Sequence, residues 1–215
     1  PDAAPQGAER QSLIDRLQQY MLKAIREAKS QSSWISPHEP YERAVTKFVA
    51  DILSDQRRRS FLADLQAFAQ KVADHGRWNS HSQTLLKIAS PGAPDFYQGA
   101  ESWLLTLVDP DNRRPVDFAA ARRRLEALLG QLGEEGWEAR RALLKDLVER
   151  RSDGRIKLFV TLMGLRARRT LPELFTEGEY LPLTIQGPQA EHLVAIARRR
   201  GDQRAFAVVP RWTAK

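Results

Sequence analysis

The sequence TLLKIASPGAPDFYQGAESWLLTLVDPDNRRPVDF occupies residues 84–118 and separates two regions of helical periodicity. A helix that enters this stretch cannot continue beyond Ser90-Pro91-Gly92, because proline and glycine end helices. We therefore expect a short extended segment from Pro94 to Gly99. After an apolar run, Asp109 to Pro115 is predicted to be a structured loop, since it is polar and contains proline.

Before this stretch, apolar residues recur every three or four positions in four segments, which indicates amphipathic helices. These helices are predicted at about Gln11–Ser30, from Pro37 or Pro40 to Leu53, at Phe61–Asp74 and at Trp78–Ser90. Ser36 and Glu39 have the spacing of a capping box, but Pro40 is an alternative start of the second helix. The charged run from Asp55 to Arg59 is expected to end that helix.

The third predicted helix has its apolar residues on one side, which we expect to face inward. These residues are Phe61, Leu65, Phe68 and Val72. His75-Gly76 follows, and because glycine weakens a helix, we expect the third helix to end there.

Beyond residue 118 the periodicity stays helical to about residue 170 and then changes. Helices are predicted at about Phe118–Leu132, Trp137–Arg151 and Ile156–Arg169. After Pro172, short apolar runs between glycines predict strands at Tyr180–Ile185, Leu193–Ile196 and Phe206–Val209, with a hairpin through Arg198 to Gln203. The predicted fold class is therefore mainly α with a small C-terminal antiparallel β region.

Composition narrows the possible classes of function. Of the 215 residues, 42% are hydrophobic, which is enough for a packed core, and none is cysteine. Disulfides, thiol catalysis and thiolate metal sites are therefore excluded, and a cytoplasmic location is expected. No apolar run approaches the roughly 20 residues that cross a bilayer, so no membrane association is expected. The histidines, at His38, His75, His81 and His192, lack the spacing of metal ligands, so we expect neither a metal nor a cofactor.

The net charge of +7 makes nucleic acid an alternative partner to consider. The arginine clusters, however, are spread over the whole length of the chain, and neither zinc-finger spacing nor an RNA-binding aromatic motif accompanies them. We interpret them as solvated helix faces, which argues against nucleic-acid binding.

Two strings, YQGAE at residues 97–101 and VDPDNRRPVDF at residues 108–118, resemble the maltooligosyl trehalose synthases, a branch of the α-amylase superfamily. Further matching strings cover nearly the whole chain: YMLKAIREAK, SPHEPYERAV and FLADL upstream, and DGRIKLFVT, PELFTEGEYLPL, AEHLVAIARR and VVPR downstream. A YQG followed by Glu would only indicate some relative of the amylases. The combination of DPDNRRPVD with DGRIK is far more specific.

The resemblance implies a fold and a reaction. The family combines a (β/α)8 barrel with a β-rich C-terminal domain, and it converts the reducing-end α-1,4 linkage of a maltooligosaccharide into an α,α-1,1 linkage by intramolecular transglucosylation. For this chain it implies the C-terminal part of the barrel, with helical insertions, at residues 1–170, and a truncated start of the β-rich domain at residues 171–215. Tyr97 to Glu101 would lie at the end of the eighth barrel strand.

The catalytic carboxylates of the superfamily lie on barrel strands four, five and seven, and their motifs have no counterpart here. We therefore expect no catalytic residue in this chain, and no activity without the missing N-terminal portion of the barrel. The implied partners are the maltooligosaccharide, that N-terminal portion and, through exposed apolar surface, a second copy of the chain. The alternative is a non-catalytic carbohydrate-binding or assembly module.

Sugar contacts are implied at the end of the eighth strand and on its loop, because barrel active sites lie at the C-terminal ends of the strands. The implied substrate-binding residues are Tyr97, Gln98, Glu101, Asp109, Asp111, Asn112, Arg113, Arg114 and Lys157. Alternatively, the aspartates and arginines of the loop pair with each other and brace it. The chain departs from the family pattern at His81, Ser102 and Leu104. Leu104 replaces an acidic residue and is expected to weaken sugar binding if that acid contacts sugar.

Overall fold

The computed structural model describes residues 5–54, 59–133 and 136–214, and it is mostly helical with one small sheet. The helices are α1 (Gly7–Ala28), α2 (Glu39–Ser54), α3 (Arg59–Ala89), α4 (Phe118–Leu132), α5 (Trp137–Glu149), α6 (Arg155–Thr170) and α7 (Pro172–Thr176). The strands are β1 (Glu179–Pro182), β2 (Leu193–Arg200) and β3 (Gln203–Pro210). The predicted fold class is thus confirmed at the level of a helical chain with a C-terminal antiparallel sheet.

The chain divides into two compact units. Residues 1–72 and 105–115 form the first unit, and residues 73–104 and 116–215 form the second. The division expected from the sequence, at residue 170, stays a prediction.

The first unit is built around α1 and α2. Its core consists of Ile14, Val49 and Leu53, with Leu17, Met21, Ala50, Ile52 and Leu62 packed against it. A bidentate ion pair also joins the two helices, because Arg26 donates to both carboxylate oxygens of Glu42, at 2.8 and 2.6 Å. Ser32 donates to the same carboxylate, and these bonds lower the pKa of Glu42 to about 2.

The second helix begins at Glu39, so Pro40 lies in its first turn and the predicted capping box of Ser36 and Glu39 is wrong. The chain before α2 is fixed instead by Ser32 and Ser33, whose hydroxyls accept the backbone N–H groups of His38 and Ser36. These side-chain bonds replace the cap that the spacing indicated. The charged run that was expected to end α2 falls at residues 55–58, outside the described residues.

The third helix is continuous, which corrects the predicted break at His75-Gly76. A glycine within a helix costs only about 1 kcal/mol, and 31 residues of otherwise helical sequence outweigh that cost. The inward orientation predicted for Phe61, Leu65, Phe68 and Val72 is also wrong, because all of them are exposed, Phe68 to 67%. Within the first unit it is Leu62 of this helix that packs against the core.

The second unit contains two apolar clusters. Leu128, Leu143, Leu147, Ile156 and Leu158 join α4, α5 and α6, and Trp103 packs against this cluster. The sheet has the order β1-β2-β3 with antiparallel pairing throughout. Ile196 and Ala207, which are paired across β2 and β3, face Ala89 at the end of α3.

The hairpin is longer than its apolar residues predicted. β2 extends to Arg200 and β3 begins at Gln203, because exposed arginines occupy the end of the ladder next to the turn at Gly201. Gly201 has φ 56, a left-handed conformation that favours glycine.

No strand forms between residues 90 and 117, so an eighth barrel strand ending at Tyr97 to Glu101 is not formed by this segment. A strand needs a neighbour for its backbone hydrogen bonds, and the sheet described above contains only β1, β2 and β3. The segment is a succession of turns and extended residues instead.

Candidate functional site

The loop of residues 105–115, in the first unit, is organised around the carboxylate of Asp111. Arg16 of α1 donates through Nε to Oδ1 and through Nη2 to Oδ2, both at 2.8 Å. The backbone N–H of Leu107 donates to Oδ2 at 2.7 Å, and Arg114 lies 3.1 Å from Oδ1. The carboxylate is 92% buried, and the bonds from Arg16 in particular lower its pKa to about 2.

Asp109, in the same loop, is more open. Lys23 of α1 contacts its carboxylate at 3.1 Å and its backbone carbonyl at 3.2 Å, and Arg113 contacts the carboxylate at 3.3 Å. The pKa of Asp109 is lowered, chiefly by the bond from Lys23. Asn112 is half-buried in the short turn after Asp111, whereas Arg113 and Arg114 are exposed. The pairing within this loop is the arrangement expected of a braced loop.

Residues 97–101, in the second unit, form a tight turn. The N–H of Ala100 donates to Tyr97 O, and the N–H of Ser102 donates to Gly99 O. Gly99 has φ 84, and a Cβ at this position would lie 3.2 Å from Val116 Cγ2. The turn therefore needs glycine, and it leaves Tyr97 and Gln98 exposed with Glu101 half-buried.

Gly154, in the Asp153–Lys157 string, lies against Ser102 and Trp103, the two residues that follow this turn. Gly154 has φ 85, and any Cβ there would overlap Ser102 Oγ and approach Trp103, so only glycine allows the two segments to lie this close. Trp103 Nε1 donates to Arg151 O at 2.9 Å. Two segments that are far apart in the sequence, Trp103 and Arg151 being separated by 48 positions, are thus fixed against each other around one tryptophan.

Lys157 extends along the face of that tryptophan. Its Nζ lies 5.6 Å from the centroid of the Trp103 ring, a cation–π contact. Burial lowers the pKa of Lys157, as does the charge of Lys87, while the carboxylate of Glu101 opposes the shift. The structure therefore brings Lys157 and Glu101 into one electrostatic neighbourhood, with Tyr97 and Gln98 on the same turn as Glu101.

His81 is a member of this neighbourhood that was not predicted. Its ring lies between Trp78 and Trp103, with centroid distances of 5.8 and 5.1 Å, and only 8% of the residue is exposed. Neither ring nitrogen has a hydrogen-bond partner in the described part of the chain. Burial, and then the charge of Lys157, lowers its pKa to about 4. The sequence signal was a histidine at a usually apolar position, but its two tryptophan neighbours could not be inferred from spacing.

The described residues contain no group of three or more acidic or histidine side chains placed to hold a metal ion. Their helices also lack an apolar stretch of the length that crossing a membrane requires.

Comparisons with known proteins bear on the whole chain. No family model matches it. Over 204 residues, or 95% of the chain, it is 37% identical to maltooligosyl trehalose synthases of two Mycobacterium tuberculosis strains. A crystal structure of a maltooligosyl trehalose synthase superposes with a TM-score of 0.71 at 34% identity, covering 87% of this chain and 23% of that one. A mutant maltooligosyltrehalose synthase from Arthrobacter ramosus superposes with a TM-score of 0.65 at 37% identity, covering 86% and 23%.

The chain spans 22% of the length of the curated relatives that it matches. Sequence and structure agree on the relationship, since identity and superposition both extend over more than four-fifths of the chain. The resemblance to the maltooligosyl trehalose synthases is therefore confirmed, and the part of these proteins that the chain matches is their C-terminal portion.

Proposed function

We propose that this chain serves as the C-terminal part of a maltooligosyl trehalose synthase, which converts the reducing-end α-1,4 linkage of a maltooligosaccharide into an α,α-1,1 linkage. The observation that carries the proposal is the similarity of 95% of the chain to such enzymes. The close approach of Gly154 to Ser102 and Trp103 supports it, because Gly154 belongs to one of the strings by which the sequence resembles the family and Ser102 directly follows another.

The chemistry requires two carboxylates about 5 Å apart, one to attack the anomeric carbon and one to protonate the leaving oxygen. We propose that both come from the rest of the enzyme and that this chain alone is inactive. In this proposal residues 1–170 complete a barrel and residues 171–215 begin a β-rich domain. The chain then contributes loops that hold the glucan, since transfer rather than hydrolysis requires the released glucose to be retained and water to be excluded. A cytoplasmic location also remains a prediction.

The side chains that we propose as glucan contacts differ in their exposure. Tyr97 offers an exposed ring, and Gln98 an exposed amide that matches a pair of hydroxyls. Glu101 and Lys157 supply an acceptor and a donor next to the Trp103 ring. In the other unit, Asp109, Asn112 and Arg113 remain candidates. The bonds of Asp111 and Arg114 favour the bracing role that the sequence left open.

A complementation experiment tests the proposal. The chain is mixed with the separately produced remainder of a maltooligosyl trehalose synthase and incubated with maltopentaose. The mixture is then assayed for products with a non-reducing trehalosyl end. We expect no product from either part alone and product from the mixture. Turnover by the isolated chain, or a mixture that stays inactive although the parts associate, would contradict the proposal.

Matched variants then examine the contacts. Tyr97→Ala and Lys157→Ala are expected to raise KM in the mixture. Tyr180→Ala, an exposed tyrosine on β1, and Lys145→Ala, an exposed lysine on α5, serve as controls and should leave KM unchanged.

A further inference from the structure

The segment that leads from α3 to the Tyr97–Glu101 turn lacks the usual means of fixing a backbone. In the described part of the chain, no backbone–backbone hydrogen bond involves residues 91–96. The last carbonyls of α3 also have no partner within the helix. Unpaired carbonyls of this kind must be satisfied by another group, and here cationic side chains perform that task.

Arg168, in the last turn of α6, binds three of these carbonyls. Its Nη1 donates to Ile88 O at 2.6 Å and to Ser90 O at 3.0 Å, and its Nη2 donates to Gly92 O at 2.5 Å. The guanidinium therefore spans the point at which the helix becomes a loop. Its planar set of donors suits this role, because a lysine ammonium could not reach carbonyls on both sides of the transition in one fixed geometry.

The Arg168 guanidinium also lies over the Phe175 ring, with 5.4 Å between Cζ and the ring centroid. This contact holds the cation in the orientation in which its donors meet the carbonyls.

Two more cations act nearby. Arg198 of β2, only 1% exposed, donates to Ala89 O at 3.2 Å, and also to Gly178 O and Glu179 O. Lys87 donates to Asp95 O at 2.7 Å, and its Nζ lies 3.8 Å from the centroid of the Phe96 ring. Positive charge at a helix C-terminus is favourable because of the helix dipole. Arg168 differs from these two because it binds both the helix end and the loop.

We propose that Arg168 is a positioning residue that holds the loop between α3 and Gly99 in place, so that Tyr97 and Glu101 are presented as a preformed binding turn. The assignment of a glucan to that turn rests on the proposed function. The positioning role rests on the three carbonyl bonds alone.

Hydrogen exchange of the isolated chain tests the positioning role. Arg168→Ala and Arg168→Lys are compared with Arg169→Ala, which removes an exposed arginine from the same helical turn. The amides of Ala100 and Ser102, which are bonded within the turn, report on the loop. The amides of the β2–β3 ladder report on opening of the whole unit.

In Arg168→Ala we expect the two turn amides to exchange about tenfold faster or more, since bonds to a charged donor are lost, while the ladder changes by less than about twofold. Arg168→Lys should resemble Arg168→Ala, and Arg169→Ala should resemble the unmodified chain. Added ethylguanidinium should slow the turn amides of Arg168→Ala again, since it restores the missing fork of donors.

Equal acceleration of turn and ladder in Arg168→Ala, or no acceleration of the turn, would overturn the positioning role. If Arg168→Ala does not fold, Arg168→Lys provides the same comparison. An exchange experiment with maltopentaose distinguishes this inference from the proposed function. If the sugar does not protect the turn amides of the unmodified chain, even with the remainder of the enzyme present, the assignment of a glucan to the turn fails. The exchange result for Arg168 is unaffected by that outcome.

Discussion

Acidification should destabilise the second unit through His81, and the magnitude follows from its pKa. The unfolded-state pKa is 6.5 and the folded-state pKa is about 4, because the ring is buried between two tryptophans beside the Lys157 ammonium. A folded-state pKa below the unfolded value means that the unfolded chain binds the proton more tightly. Protonation therefore favours unfolding, and stability falls as the pH falls.

The size of the effect is set by the difference between the two values, 6.5 and about 4. At about 1.4 kcal/mol per pKa unit, the free energy of unfolding should decrease by about 3 kcal/mol between neutral pH and pH 4. The loss begins near pH 6.5, where the unfolded chain starts to bind the proton, and is complete near pH 4.

Urea unfolding followed by tryptophan fluorescence measures this loss, since Trp78 and Trp103 contact the histidine directly. His81→Leu places an apolar side chain in the same site and removes the titration. From pH 7 to pH 4 the unmodified chain should therefore lose about 3 kcal/mol more unfolding free energy than this variant does. Other titrating groups cancel in this difference.

His192→Leu is the control, because His192 is less buried and lies 3.3 Å from the carboxylate of Glu191. It should not reproduce the effect of His81→Leu. A difference between His81→Leu and the unmodified chain that stays constant from pH 7 to pH 4 would refute the reasoning, since it would mean that the ring can be protonated in place without penalty.

Two further predictions concern the first unit. Asp111→Asn should lower the unfolding free energy of the first unit by about 2 to 3 kcal/mol, because the charge-assisted bonds from Arg16 are lost. Urea unfolding measures this, and a loss no larger than that of the more exposed Asp109→Asn would contradict it. Phe68→Ser should weaken self-association of the chain, because Phe68 is the most exposed residue of the apolar side of α3 formed by Phe61, Leu65, Phe68 and Val72. Sedimentation velocity measures this, and an unmodified chain that is purely monomeric would contradict the prediction.

The elements that periodicity predicted best are those with a local signal at each end. α4 begins at Phe118 after Asp117, whose carboxylate accepts the N–H of Ala120, and it ends at Leu132 before Gly133. Both boundaries follow from neighbouring residues, so they could be predicted. The break at Gly76 was predicted by the same rule and was wrong, because a rule about single residues cannot weigh one glycine against the helical sequence on both sides of it.

Residues of the candidate site could be predicted only where the resemblance to the family implied them. The sequence could not show that Asp111 is enclosed by Arg16, since 95 residues separate them. The contacts of His81, Trp103 and Arg168 were missed for the same reason. Their roles depend on contacts between segments that are far apart in the chain, and neither spacing nor composition carries that information.

The exposed apolar surfaces show the limit of what periodicity determines. In β3, Ala207 and Val209 are buried while Phe206 and Val208, between and before them, are exposed, so this strand is apolar on both sides. Apolar and polar residues do not alternate in the sequence of this strand as they do in most half-buried strands. Burial nevertheless alternates in the structure, because only one side of the strand is covered. The same holds for the apolar side of α3: the helical period correctly places its apolar residues on one side, but the predicted burial of that side is wrong. Periodicity fixes which residues share a face because backbone geometry sets that spacing. Burial of that face requires a second element, and its position is a property of the tertiary structure.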